Sequence, residues 1–503
     1  MLGTLHSMTM LSSLRFLTLV AAATLVARTS FAKTVSVTNA AELATAVSSA
    51  VAGDEIVLAA GTYRLTKSPV CSADGTAAPI LVRSASPLSA RIEFDTVEGF
   101  HVTGPNWHFE GLDVHGVCAN DKDCEHAFHV TGAATGFILR GSRVVDFNAQ
   151  LKVNADKIGT KWFQPNGGLV EQNEVFDTHS RATSNPVTKL NIDGVDAWIV
   201  RANFIHDGHK NGGDNTSYQS FMKGGGKGGV YERNLVICSK DENSGGTRLG
   251  LSFGGGGTGA EFCAPAFDAN VPCVPEMTAS IMRNNVIVNC SDVAIYLNKS
   301  KDSAVLYNTM IATNGVDFRY PSTSGEADGN VLASNIRARD GAAMTLKNNL
   351  AALLDTDFAG FYVAPLVGDL RKKGDLSRLL GKGTARADVP DDYCARARSG
   401  AYDLGALQAS LGDCATTTPT PSSDAGAGDS DGGGGEGTDA STTDGGSGAN
   451  GETPKGSPTS EDGCGCRTIG ASTTGGSTEW PLGSFVLFAL LWRRRSSGLA
   501  SRA

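Results

Sequence analysis

The chain has 503 residues, with 62 glycines, 11 cysteines and 41% hydrophobic side chains. This composition supports a sizeable buried core and excludes a wholly disordered or collagen-like chain. The formal net charge is −9, of which about −7 belongs to residues 33–415, because the charges of the two terminal regions nearly cancel. A body this acidic has no general attraction to polyanions, so we expect no nucleic-acid partner.

The first 32 residues have the pattern of a secretory signal peptide. Arg15 precedes an apolar run at 16–27, and small residues surround the expected cleavage point at Ala32. We therefore expect a secreted chain that begins near Lys33, in a compartment that permits disulfide bonds.

The cysteines are spaced in a way that suits disulfide bonds. Proximity in sequence pairs Cys118 with Cys124, Cys263 with Cys273, and Cys394 with Cys414. Cys238 and Cys290 follow the similar strings NLVIC and VIVNC, which also allows them to face each other across stacked strands. Cys71 has no evident partner.

Residues 33–415 show a repeat of short β-rich strings. Six asparagines taken as equivalent points are separated by 30, 31, 51, 23 and 27 residues: Asn173, Asn203, Asn234, Asn285, Asn308 and Asn335. Steps of this size, each with two or three short strands, are typical of the coils of a parallel β-helix. The amphipathic stretch Ala40–Ala52 suits a short helix that caps the open end of such a solenoid. We therefore predict an all-β parallel β-helix domain, expected to be monomeric.

Two regions of different amino-acid composition follow this domain. Residues 416–463 are rich in Thr, Ser, Gly and Asp and lack the apolar side chains that a core needs, so they predict a disordered linker. Residues 464–503 contain Cys464 and Cys466, an apolar run at 481–492 and three consecutive arginines. This order resembles the C-terminal sorting tails of myxobacterial surface proteins. The resemblance implies attachment to the cell envelope or outer membrane.

Four segments carry a resemblance to a known family. Residues 34–65, 91–116, 228–250 and 286–320 resemble right-handed β-helix polysaccharide lyases of the chondroitinase B and alginate lyase type. The resemblance implies a right-handed coil and an acidic polysaccharide as substrate. It also implies that Lys299, in LNKSKDS, and Arg319, in VDFRY, are catalytic.

The repeat places these two residues near each other. A 23-residue coil puts Asp317–Tyr320 one rung above Ala294–Leu297, and strand alternation then turns Ala294, Asp317 and Arg319 outward. Lys299 follows the position beneath Arg319 by three residues. Cleavage of a uronate glycan by β-elimination needs a base for the C5 proton and a positive group near the sugar carboxylate. In this scheme Lys299 is the base and Arg319 assists the carboxylate or the leaving oxygen.

The resemblance also implies a calcium ion and a further contact with substrate. Family sites hold calcium with acidic residues just before the catalytic lysine, and the matching positions are Asp292 and Ala294. Since Asp317 is expected over Ala294, Asp292 and Asp317 are the predicted metal ligands, although two aspartates alone are few for Ca²⁺ and an absent metal is an open alternative. Arg248, in SGGTRLG, matches a position that lines the substrate groove, and a structural salt bridge is its alternative role.

Two classes of function stay open at this point. One is an envelope-anchored lyase that cleaves acidic glycans. The other is a non-catalytic β-helix on the cell surface that binds carbohydrate or mediates adhesion, because a fold of this type carries both classes.

Overall fold

The computed structural model describes residues 32–255 and 257–414. The chain divides into two units, Met1–Asp429 and Ser430–Ala503, and the second lies wholly outside the described residues. The predicted signal peptide, linker and C-terminal tail also fall outside them, apart from Ala32. Among the described residues, no helix combines the length and the apolar character that crossing a membrane requires.

The described chain winds through three long parallel sheets. Strands are numbered β1 to β40 in chain order. Sheet 1 has the strand order β1 (Thr34–Val37), β2 (Glu55–Leu58), β5 (Ile80–Ser84), β8 (Trp107–Glu110), β11 (Ile138–Arg140), β16 (Leu169–Glu171), β19 (Ile199–Arg201), β23 (Val230–Glu232), β27 (Ile281–Arg283), β31 (Ser303–Leu306), β34 (Ser324–Asp328) and β37 (Ala343–Lys347). Sheet 2 has the order β3 (Gly61–Leu65), β6 (Ala90–Phe94), β9 (Asp113–Gly116), β12 (Arg143–Val145), β17 (Glu174–Phe176), β20 (Phe204–His206), β24 (Leu235–Ile237), β28 (Val286–Val288), β32 (Thr309–Ile311), β35 (Val331–Ala333) and β38 (Leu350–Leu353).

The third sheet carries the candidate site. Sheet 3 contains, from the first coil to the last, β4 (Val70–Cys71), β7 (Glu98–Val102), β10 (His126–Thr131), β13 (Ala149–Asn154), β18 (Val187–Asp193), β21 (Thr216–Lys223), β25 (Thr247–Phe253), β29 (Ile295–Asn298), β33 (Val316–Arg319) and β36 (Ile336–Arg339). Three small sheets complete the described strands: β14 (Asp156–Ile158) with β15 (Lys161–Phe163), β22 (Gly226–Lys227) with β26 (Met277–Thr278) and β30 (Ser300–Lys301), and β39 (Tyr362–Ala364) with β40 (Asp369–Lys372).

The fold class predicted from the sequence, an all-β right-handed parallel β-helix with an N-terminal capping helix, is confirmed. The helix α1 (Ala40–Ser48) begins after Asn39, whose side chain accepts a hydrogen bond from the Glu42 amide. Leu43 and Val47 on its apolar face are buried in the same core as the first strands. The helix thus covers apolar side chains that an open first coil would expose to water.

The repeating asparagines form a buried ladder at the turn between sheets 1 and 2. In the middle of the ladder, Asn234 Nδ2 donates to Asn285 Oδ1 at 2.9 Å and to the Val200 carbonyl at 2.9 Å. The Asn203 amide and Nδ2 both donate to Asn234 Oδ1, at 3.1 and 3.0 Å. Polar groups of every turn are therefore satisfied by the coil above and the coil below.

The prediction that Asn335 is the last member of this ladder is wrong. Asn308 is followed in the ladder by Asn330 and Asn349, not by Asn335, whose side chain is exposed. The coils shorten towards the C-terminus, so the predicted step of 27 residues is replaced by steps of 22 and 19. The string around Asn335 instead leads into β36 of sheet 3.

The three disulfide pairs predicted from proximity are present, and Cys238 pairs with Cys290 across neighbouring coils. Cys71 is a buried free thiol. Burial raises its pKa well above the ordinary value, which keeps the thiol in its unreactive neutral form.

The C-terminal part of the domain folds back over the outer face of sheet 2. The helix α2 (Asp355–Phe361) and the segment 404–407 bury a second apolar core there. Its members include Phe204, Leu235, Val286, Ile311 and Val331 from sheet 2, together with Phe358, Phe361, Leu404, Ala406 and Leu407. From β20 onward, the outer face of sheet 2 is therefore closed to a ligand.

The outer face of sheet 1 is occupied by an ion-pair ladder. Acidic and basic side chains alternate from coil to coil in the series Glu110, Arg140, Glu171, Arg201, Glu232 and Arg283. Because neighbouring charges neutralise each other, this face offers no excess charge to a ligand. Sheet 3 differs from both of the other sheets.

Candidate functional site

Strands of sheet 3 bend at one column of residues. In β10, the consecutive residues Ala127 and Phe128 both enter the main core, and Ala294 and Ile295 do the same around β29. The two residues that flank such a buried pair are three positions apart in the sequence. Their side chains therefore both lie on the outer face. This bend contradicts the predicted alternation, which placed Ala294 outside. Val293 instead joins a small outer cluster with Leu249 and Tyr296.

Lys299 and Arg319 are closer than predicted. In the register of β29 and β33, Asn298 pairs with Arg319, so Lys299 follows the position beneath Arg319 by one residue rather than three. The Lys299 amide lies 3.4 Å from the Arg319 carbonyl oxygen. The predicted step of 23 residues is 21 in this sheet, because the turns shorten while the asparagine ladder keeps its spacing.

Both cationic groups lie against the ring of Tyr320. The Lys299 Nζ is 6.0 Å from the ring centroid and the Arg319 Cζ is 4.9 Å from it. Lys299 is half-buried and forms no ion pair with any residue in the described ranges. Two side chains from neighbouring rungs thus present positive charge to the same small area of surface.

The Arg319 guanidinium is held by two neighbours. Its Nε donates to Asp340 Oδ2 at 2.6 Å, and one terminal nitrogen donates to the Tyr296 hydroxyl at 3.3 Å. Hydrogen bonding to Asp340, and then to Tyr296, raises the pKa of Arg319 above its ordinary value, so the group is a permanent cation. The remaining terminal nitrogen has no hydrogen bond within the described part of the chain and faces a partly exposed surface.

The two predicted calcium ligands do not come together. Asp317 lies over Tyr296 rather than over Ala294, and its two oxygens accept hydrogen bonds from Arg337 at 2.6 Å and Arg339 at 2.7 Å. Asp292 precedes β29 by three residues and pairs through its backbone with Arg248. Since the Asp317 carboxylate is already neutralised by two guanidinium groups, these residues do not fit a calcium ion.

Arg248 is not in the groove with Lys299 and Arg319. Its side chain is 3% exposed, and its terminal nitrogens contact the Ser239 hydroxyl and the Ser244 carbonyl oxygen. Its Nε is buried without a hydrogen-bond partner among the described residues. The residue therefore anchors the loop that precedes β25, and the predicted contact with a sugar carboxylate has no support from its position.

A second polar cluster, which the sequence analysis missed, lies in the middle of the same outer face. Lys152 Nζ donates to Asn191 Oδ1 at 3.0 Å and lies 3.8 Å from Asp193 Oδ2, which is 3.3 Å from Lys223 Nζ. Burial lowers the pKa of Lys152, Asp193 opposes this effect, and Lys223 adds to the lowering. Two lysines that share one carboxylate leave a net positive charge at this point.

Further along the same face lies a third cluster, formed by Glu98, His101, His126 and His129. The signal for it in the sequence is a pair of strings, EGFH at 98–101 and HAFH at 126–129, that are one coil apart. The lysines of the middle cluster had no comparable signal, because their spacing follows the strand bend rather than a simple alternation.

Two excursions from the coil border the open face. Trp162, in the β14–β15 hairpin, stacks on Phe267 with ring centroids 4.5 Å apart. Phe267 belongs to the Gly-rich excursion that contains the Cys263–Cys273 disulfide, and Thr258 of this excursion donates to Asp193 Oδ1 at 3.1 Å. Beside these two excursions, the outer face of sheet 3 carries Lys299, which has no ion pair among the described residues, and two lysines, Lys152 and Lys223, that share the carboxylate of Asp193.

Comparisons with known proteins do not assign the chain to a family. No family model matches the chain, and no curated protein matches it. The solved structures to which the chain is similar include polysaccharide lyases. The pectate lyase Pel9A has 16% identity and a TM-score of 0.48, covering 75% of this chain and 96% of its own. An alginate lyase from Paenibacillus sp. str. FPU-7 has 15% identity and a TM-score of 0.37, covering 63% of this chain and 99% of its own. A rhamnogalacturonan lyase has 15% identity and a TM-score of 0.40, covering 71% of this chain and 94% of its own.

Proposed function

We propose that the chain is a polysaccharide lyase that cleaves uronate-containing glycans by β-elimination at Lys299 and Arg319. The observation that carries the proposal is that these two side chains lie on adjacent rungs against the same Tyr320 ring. The resemblance of residues 286–320 to chondroitinase B-type lyases assigns the same two residues to catalysis. Geometry and sequence pattern therefore agree on one pair.

The roles of the pair follow from what each group can do. The Lys299 amine, in its neutral form, accepts the C5 proton of the uronate, while the bond from C4 to the leaving oxygen breaks and a C4–C5 double bond forms. The leaving oxygen takes a proton from solvent and becomes the hydroxyl group of the released chain end. The free terminal nitrogen of Arg319 donates to the sugar carboxylate, where negative charge increases as the proton leaves. Tyr296 and Asp340 hold the guanidinium in place, so it needs no reorganisation during the reaction.

The substrate class follows from the charge of the three faces. Among the outer faces of the long sheets, that of sheet 1 is neutralised and that of sheet 2 is covered from β20 onward, whereas sheet 3 carries Lys152, Lys223, Lys299 and Arg319 between β13 and the end of β33. Rungs are about 4.8 Å apart, so this stretch of sheet 3 spans several sugar rings. An acidic glycan that lies along the coils would meet a cation at several points along its length.

The test is an elimination assay on the purified secreted chain. Alginate, pectate and glycosaminoglycans are incubated with the protein, with and without EGTA, and the ultraviolet absorbance of the unsaturated uronate product is followed. We expect an increase with at least one of these polymers, insensitive to EGTA because Asp292 and Asp317 do not form a calcium site. New reducing ends without this absorbance would indicate hydrolysis and would refute the proposal.

A second candidate is a non-catalytic protein that binds acidic carbohydrate. It is favoured by the contacts of Asp317, because the scaffold then lacks the metal that family sites use to neutralise the carboxylate. Retention on an alginate or heparin column, with no product from any polymer in the elimination assay, would establish this candidate instead.

We also propose that the protein is attached to the cell surface, because of the sequence patterns of residues 1–32 and 464–503. If residues 464–503 are a sorting signal, replacing Cys464 and Cys466 by alanine should shift the protein from the envelope fraction to the medium or leave it unprocessed. Fractionation followed by immunoblotting measures this. A double variant found at the surface in the same amount and size as wild type would contradict the anchoring proposal.

A further inference from the structure

Two strands of sheet 3 place an acid and three histidines side by side. Glu98 of β7 pairs with His126 of β10, and His101 pairs with His129. The rings of His101 and His129 are stacked, with centroids 5.2 Å apart and planes 13° apart. Because these strands bend, the first and last residues of the segments 98–101 and 126–129 all lie on the outer face. Four potential ligands therefore share one small area.

Three of these residues meet the geometric requirement for a metal site. One ligand atom from each of Glu98, His101 and His129 lies within 4.8 Å of the ligand atoms of the other two. Metal–ligand bonds of about 2.1 Å in a tetrahedral site place ligand atoms roughly 3.4 Å apart, so the ligand atoms must approach one another by at most about 1.4 Å. All three side chains are half-buried, which leaves room for that movement and for entry of an ion.

The surrounding groups already orient the two rings. His129 Nε2 lies 2.8 Å from Asn154 Oδ1, and the Asn154 amide is fixed by its hydrogen bond to the Ala155 carbonyl. His101 Nε2 lies 3.3 Å from the Thr131 hydroxyl. Around a metal, the ring nitrogen of a histidine that does not bind the ion usually bonds an oxygen, and Asn154 and Thr131 supply such oxygens here.

The cluster contains a polar atom that the protein leaves unsatisfied. His126 Nδ1 is buried and has no hydrogen-bond partner among the described residues, and it lies 3.7 Å from Glu98 Oε1. The same Oε1 lies 2.7 Å from His129 Nδ1. A buried nitrogen without a hydrogen-bond partner costs free energy. A cation bound to Glu98 would move the carboxylate that faces this nitrogen.

We propose that Glu98, His101 and His129 bind a divalent transition-metal ion of the Zn²⁺ type, with solvent in the open coordination position. Two imidazoles and one carboxylate suit Zn²⁺, whereas Ca²⁺ takes six to eight oxygen ligands. The site is five to six rungs from β29, roughly 24–29 Å from Lys299, so it is separate from the proposed elimination centre. It lies on the same outer face, where its open position is accessible to the carboxylate of a distant sugar.

The test is a metal titration of the full secreted chain, with accessible thiols alkylated so that they do not bind the ion. Isothermal titration with Zn²⁺ should show one saturable site, and Co²⁺ should give the visible absorption bands of a low-symmetry site. The double variant His101→Ala, His129→Ala should lose at least about 100-fold in Zn²⁺ affinity. Ca²⁺ should not compete at equal concentration.

Two further variants make the result interpretable. His108→Ala removes a half-buried histidine from sheet 1, outside the cluster, and should bind Zn²⁺ as wild type does. Glu98→Gln keeps the side-chain shape and should weaken binding without loss of fold, as judged by circular dichroism and thermal unfolding. A wild-type chain without a saturable Zn²⁺ site, or a double variant that binds with unchanged affinity, would overturn the proposal. Neither result bears on the elimination assay, which reports on Lys299 and Arg319.

Discussion

Replacing Lys299 by alanine should reduce turnover of the cleaved glycan by at least about 100-fold, the usual scale for loss of a general base. The side chain forms no ion pair with the described residues and is not part of the core, so the fold should persist. Glycan affinity should change little, because Arg319, Lys152 and Lys223 still line the face. Initial rates by ultraviolet absorbance and affinity by titration with an uncleaved oligosaccharide separate the two effects.

Lys301→Ala is the matched control. Lys301 belongs to the same segment and carries the same charge, but it is exposed and lies in β30, outside the line of sheet 3. A change in general electrostatic attraction would affect both variants alike, whereas loss of a base affects only Lys299→Ala. Equal turnover by Lys299→Ala and Lys301→Ala would remove Lys299 from the mechanism.

The sequence predicted the architecture because the coil repeats itself. Each turn needs a buried polar residue that satisfies its neighbours, and Asn173, Asn203, Asn234, Asn285 and Asn308 all occupy that position. Such a position tolerates few other residue types, so the repeat can be read even where the strands vary. The fold class follows from this spacing.

The arrangement of the site was harder to predict, because it depends on turn lengths and on a strand bend. A coil of 23 residues at the asparagine ladder has only 21 between Tyr296 and Asp317, since residues are lost from one turn and not from another. The shift of two positions moved Asp317 away from Asp292 and brought Lys299 nearer to Arg319. Hydrophobic alternation cannot show which turn is shorter.

The repeat pattern also could not predict ion pairs between the site and later segments of the chain. Arg337 and Arg339, one coil later, neutralise Asp317, and Asp340 holds Arg319. The segment after the last coil gave no sign that it would cover sheet 2, because its apolar residues are scattered. The segment covers sheet 2 from β20 onward.

Asn234→Ala should lower the free energy of unfolding by about 3 kcal/mol or more. The substitution removes the acceptor of two donors on Asn203 and the donor to the Val200 carbonyl and Asn285 Oδ1, all of them buried. A buried polar group without its partner costs about 1–3 kcal/mol, so the losses above and below the coil combine. Urea unfolding followed by circular dichroism measures the change, with linear extrapolation to water.

Asn335→Ala is the control, because this residue was expected to continue the ladder and does not. Its side chain is exposed and forms no hydrogen bond with the described residues, so its removal should change stability by less than about 0.5 kcal/mol. The equivalent change at Asn330, which does occupy the ladder, should resemble Asn234→Ala, because Asn330 receives both donors of Asn308 and donates to Asn349. If Asn335→Ala proved as destabilising as Asn330→Ala, the shortening of the last coils, and with it the register that brings Lys299 beside Arg319, would be wrong.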